Sequence, residues 1–153
     1  MSEALERNQA ESARLSKLVA GLETSELSLI VHDNWTVAAK LAHIAYWDRF
    51  ALAVLERWAA RKPFRIDIPD WYDDLLNDAV LIESLAVEPT VAARLAVEAA
   101  AAMDRRLLGL GPEQARLEAD AAIPETDANW LLHRYRHRGE HLDEIEAALR
   151  GGG

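Results

Sequence analysis

The stretch NWTVAAKLAHIAYWDRFALAVLERWAARK, Asn34 to Lys62, constrains the fold of this chain more than any other. Val37, Leu41, Ile44, Leu52 and Leu55 recur with a helical period, and His43, Trp47, Phe50 and Val54 form a second line pointing somewhere dry. Asn34 or Thr36 can cap the segment, which runs roughly seven turns before Pro63. A helix with two apolar lines needs neighbours on both sides, so it belongs at the centre of a helical assembly.

The remaining segments supply those neighbours. Ser2 to about Leu22 places Leu5, Ser12, Leu15, Val19 and Leu22 on one side of a helix. A loop fixed by Pro63 and Pro69, with Asp70 as a possible cap, leads into a shorter helix from about Trp71 to Leu85. Another helix starts near Pro89 and ends before Gly109 and Gly111. PEQARLEADAAIPETDA is a long connection with room for one helical turn at its start. The last helix is expected from Asp127 or Ala128 to Arg150, burying Leu131, Tyr135, Leu142, Ile145 and Leu149. Alternating, β-branched runs are missing, so no strand is expected. The reading is all-α: a four-helix bundle with an extra short helix in a long connection, one domain over residues 1–150 and a frayed, disordered tail at 151–153.

Charge and composition narrow the function. The net charge is -9, and the largest basic cluster is Arg134, Arg136 and Arg138, interleaved with histidines, so no nucleic-acid partner is expected. No apolar stretch reaches the ~18 residues of a membrane span, and the N-terminus carries Glu3, Glu6 and Glu11 where a secretory signal would be apolar. The expected location is the cytoplasm, with no membrane partner. With no cysteine, any metal must be held by histidine and carboxylate, and any thiol must arrive on a substrate or cofactor.

The chain has 5 histidines, and HRYRHRGEH carries His133, His137 and His141 at intervals of four. Residues four apart share a helix face, the spacing that lets two imidazoles reach one ion. A facial site needs a third ligand, and His43 on the central helix is the natural candidate. Against this, His43 alone reads as a core histidine, and the 133/137/141 line alone reads as a solvated face. Glu144, close to that line, can orient a ligand ring, and Asp48, on the buried stripe of the central helix, can support the site or form a structural ion pair. Glu140 and Glu144 also read as solvated surface. Trp35, Trp47, Trp71 and Trp130 can wall a pocket, with Trp47 read as core, while His32 is set aside as a loop residue.

NWTVAAKLAHIAYWDRF resembles the second-helix signature of the DinB/YfiT-like family of metalloenzymes, in which a tryptophan, a Ser or Thr cap and an aliphatic-Ala-His motif precede an aromatic pair. HRGEHLDEI is similar to that family's closing His-x-x-x-His motif, and DDLLND resembles a segment of many members. The resemblance covers nearly the whole chain. It implies an up-down four-helix bundle, related to the metal-binding domain of mycothiol-dependent maleylpyruvate isomerase, holding zinc or nickel near one end. By motif match the ligands are His43, His137 and His141. HRYRHRG also looks like a variant that would select His133 with His137; otherwise His133 supports the site or faces the substrate. The implied function is metal-dependent S-transfer or isomerisation of a small-molecule substrate, with hydrolysis as a further option and a low-molecular-weight thiol as co-reactant. The rival is a non-catalytic, metal-binding or structural helical module, stress-related and dimeric. Broad apolar faces on several helices point to a homodimer.

Overall fold

The structure, a computed structural model, describes residues 2–62, 70–123 and 127–151. Helices α1 (Glu3–Gly21), α2 (Val37–Ala59), α4 (Pro89–Leu108) and α7 (Arg134–Gly151) form the bundle, joined by α3 (Asp70–Ala86), α5 (Glu113–Ala121) and α6 (Asp127–Leu132). Helix α4 packs on both α1 and α2, and α7 packs on the same two from the other side. Pairings along the helices give their directions. Asn8 meets Leu132 and Arg14 meets Glu146, so α1 and α7 run parallel. Lys40 meets Glu144 and Asp48 meets Arg134, so α2 runs against α7. Arg106 meets Glu56 at one end of α4, and Ala92 shares a cluster with Leu41 at the other, so α2 and α4 run together. Two helices thus run up and two down, and α3, packed on α2, returns the chain between the parallel pair.

Helix α2 is central, as its two apolar lines require. Thr36 takes the cap, its Oγ1 accepting the Ala39 N–H at 3.1 Å. Opposite it, α4 buries Ala92, Ala93, Ala96, Ala99 and Ala100, small residues that let the two backbones approach. The Glu88 carboxylate caps α4 by accepting the N–H groups of Thr90 and Val91, and Pro89 occupies the first turn, where no donor is needed.

The apolar interior is divided. One cluster holds Leu55, Trp58, Met103, Leu107 and Leu131; the other holds Leu15, Leu41, Ile44, Leu142 and Ile145. Between them lies a buried polar layer. Arg134 Nε and Arg138 Nε donate to the two oxygens of Asp48 at 3.0 and 2.8 Å, and Arg138 Nη1 donates to Asp104 at 2.8 Å and to Ser12 Oγ at 2.9 Å. The two arginines and two aspartates cancel in charge, the condition on which ions are tolerated away from water. Burial pulls the Arg138 guanidinium down in pKa, but Asp48 and Asp104 together outweigh it; for Arg134 burial wins.

Three expectations are revised. Where one helix was expected from Asp127 to Arg150, the chain breaks at His133 into α6 and α7. The cause is Asn8 of α1, fully buried: its side chain accepts the Tyr135 N–H at 2.7 Å and donates to the Leu132 carbonyl at 2.9 Å, replacing ladder bonds of the helix. The connection expected to hold one turn contains α5, whose Leu117 and Ala121 are buried in the first cluster. A short antiparallel hairpin, β1 (Ile30–His32) with β2 (Trp35–Thr36), precedes α2, with Asp33 at φ 45 in its turn. The Pro63 and Pro69 loop, the Asp70 side chain and the last two glycines lie outside the described residues, and Gly151 ends α7. Among the described residues no helix is long and apolar enough to cross a membrane.

Candidate metal centre

The antiparallel contact of α2 with α7 brings His43, His137 and His141 together, and His133 apart from them. His137 Nε2 lies 3.3 Å from His43 Nε2 and 3.2 Å from His141 Nε2. One donor atom from each ring falls within 4.8 Å of the others. Two nitrogens that share an ion at about 2.1 Å from each should stand roughly 3.0–3.4 Å apart, so both measured pairs fit a common cation. The rings are not coplanar: His141 stands edge-on to His43 and His137, at interplanar angles of 86° and 90°. Such an arrangement aims three ring nitrogens inward and leaves one side open to the cleft.

Burial keeps these rings neutral, the form in which imidazole ligates. Desolvation, with smaller pushes from His141 and Lys40, drives His43 down to about 3. Desolvation and then the Arg134 charge hold His137 well below the ordinary histidine value. His141 is also lowered by desolvation, against the opposing pull of its hydrogen bond with Glu144.

The surrounding groups fix ring orientation. His141 Nδ1 donates to Glu144 at 2.8 Å, the usual carboxylate support of a ligating histidine, and Lys40 Nζ holds the same oxygen at 2.9 Å. Burial would raise the Glu144 carboxyl, but hydrogen bonds from His141 and Lys40 outweigh it and the net shift is downward. Asp48 lies in the buried ion layer and is linked to the rings through Arg134, whose Nη2 lies 3.1 Å from His137 Nδ1. His133 sits at the helix break, its Nδ1 donating to the Asn129 carbonyl at 2.8 Å. His43 Nδ1 is buried with no hydrogen-bond partner among the described residues.

The three rings line an open cleft of about 370 Å³. Trp35, Trp47 and Trp130 wall it, and Trp47 is also packed as core, its Nε1 donating to Asn77 at 3.2 Å. Trp71 is 63% exposed and lies outside the lining. Glu140 is exposed at the rim, and His32, on the hairpin, also borders the cleft.

Reading the residues in order missed Asn8, Lys40, Asp104 and the burial of two arginines. Arg134 and Arg138 are fully buried whereas Arg136 is exposed. A signal for them existed: Asp48 on the dry stripe of α2 demands a cation, and arginines four apart on α7 share one face.

Three neutral nitrogens on rigid helices, open to a walled cleft, can present a Lewis-acidic ion to a small molecule. The family model of the DinB superfamily matches residues 5–145. No curated protein and no solved structure matches the chain.

Proposed function

The chain belongs to the DinB superfamily, and from that premise we propose that it is a divalent-metal-dependent enzyme whose ion is held by His43, His137 and His141. The observation that carries the reading is the convergence of their three ring nitrogens beside a cleft. Zinc or nickel suits an all-imidazole donor set. Bound there, such an ion polarises a substrate oxygen or sulfur and lowers the pKa of a bound thiol or water.

The chain's own residues do the rest. Glu144 fixes His141 with its Nδ1–H outward, so the Nε2 lone pair faces the centre. Lys40 holds Glu144 in place and lies over the Trp35 ring at 5.0 Å. Trp35, Trp47 and Trp130 supply apolar walls that displace water from the reacting groups and grip the apolar part of a small substrate. Transfer or isomerisation that uses a low-molecular-weight thiol is the reaction class we assign, on the resemblance to thiol-dependent relatives; the thiol must be supplied, since the chain has no cysteine.

A non-catalytic module is the second reading. It is favoured by one feature: His137 already sits within hydrogen-bond distance of both His43 and His141, so the cluster can close on itself without an ion. A homodimer is proposed with either reading, resting on Trp71, Leu75, Ile82 and Leu85, exposed along α3.

The test is metal analysis of protein purified without a nickel column, followed by transfer assays with several small thiols. Stoichiometric zinc or nickel with turnover supports the enzyme. Metal without turnover on any thiol supports the module, and no metal uptake ends both metal readings.

A further inference from the structure

The partner of His137 has the wrong polarity for a ligating histidine. Such a ring ordinarily gives its second N–H to a carboxylate, carbonyl or water. Here Nδ1 faces Arg134 Nη2 at 3.1 Å, and guanidinium offers donors only. A neutral His137 that accepts at Nδ1 carries its proton on Nε2, the atom aimed at the other two rings. Turning the ring over does not resolve the conflict, because the orientation that aims Nε2 inward is the one that sets Nδ1 against Arg134.

The neighbours complete the arrangement. His141 gives its Nδ1–H to Glu144 and so keeps a bare Nε2, placed 3.2 Å from His137 Nε2 to accept that proton in a hydrogen bond. Arg134 is held from two sides, by Asp48 at its Nε and by the Trp130 ring 4.5 Å from its guanidinium carbon. Its Nη1 is buried with no partner among the described residues, so the guanidinium has no second acceptor to turn toward.

We propose that Arg134 locks His137 as the Nε2–H tautomer and so acts as a latch against metal loading, released only when Nδ1 is freed to carry the proton. The proposal rests on the three-histidine metal site and adds a positioning residue that opposes it. The proton balance is simple: one hydrogen moves from Nε2 to Nδ1 of the same ring, and Arg134 Nη2 gives up its acceptor.

Two measurements test it. Long-range nitrogen–proton NMR on the metal-free wild type reads which nitrogen of His137 is protonated, and Nε2–H is expected. Zinc titration then compares wild type with Arg134→Gln and Arg134→Leu. Both free Nδ1 to carry the proton, so each should bind zinc about tenfold more tightly than wild type, and the Gln amide oxygen can in addition accept from Nδ1–H. Nδ1–H in the metal-free wild type, or zinc affinity in the folded variants no higher than in wild type, overturns the latch while leaving the metal site standing. Absence of zinc uptake by wild type and by both folded variants instead sinks the metal site itself. Should a variant fail to fold, the wild-type NMR result decides.

Discussion

The side-chain oxygen of Asn8 takes the backbone N–H of Tyr135 at 2.7 Å, across 127 residues of sequence, and its amide nitrogen returns a bond to Leu132. A single α1 side chain therefore sets where the last helix starts. Removing it by Asn8→Ala leaves a carbonyl and an N–H without partners at a buried position. At roughly 1–3 kcal/mol for each unsatisfied group, the expected loss is about 2–6 kcal/mol in urea unfolding. A change below about 0.5 kcal/mol, the range of ordinary surface substitutions, would show that Asn8 does not hold the break.

The histidines should separate sharply in metal content. His43→Ala, His137→Ala and His141→Ala each remove one converging nitrogen. Each should weaken zinc binding by at least about 100-fold, the upper end of what loss of a mere supporting partner costs. His133→Ala should leave zinc content unchanged, because that ring is engaged with the Asn129 carbonyl. Elemental analysis of the four variants decides; full zinc in His43→Ala would refute the ligand assignment.

Glu144 should matter through His141. Glu144→Ala removes the acceptor of the His141 Nδ1–H and should lower zinc affinity about 10–100-fold. Competition titration against a chelator measures it, with circular dichroism to confirm that the loss of the Lys40 partner has not unfolded α2.

Asp48 should prove structural. Its two oxygens are shared by Arg134 and Arg138 in a layer with no exposure, so Asp48→Asn leaves buried positive charge without compensation. The expected cost is about 3–5 kcal/mol. Because the pair is shielded from solvent, adding salt should change this difference little, whereas it would erode an exposed pair such as Arg94–Glu98.

Much of the architecture was legible in the order of residues. Two apolar lines on α2 required neighbours on both faces, and i, i+4 histidines on one helix with a third on its antiparallel neighbour are a local pattern that needs few long-range facts. What resisted reading depended on pairing across the bundle. The amide of Asn8 looks like any polar residue of α1 until Tyr135 lies beside it. Arginines at 134 and 138 looked like solvated companions of the histidines, yet Asp48 and Asp104 draw them inward. Helix α5 escaped because its buried face is only Leu117 and Ala121, too short a stripe for a period to emerge.

The charged slice between the two apolar clusters also governs alignment. Arg138 touches Asp48 of α2, Asp104 of α4 and Ser12 of α1 at once, so one side chain spans all four bundle helices. Sliding any helix by a turn would strand an ion in hydrocarbon, a fault that purely greasy packing would forgive. Slippage is thereby forbidden one turn away from the histidines, and the two helices that carry them stay in step whether or not an ion has arrived.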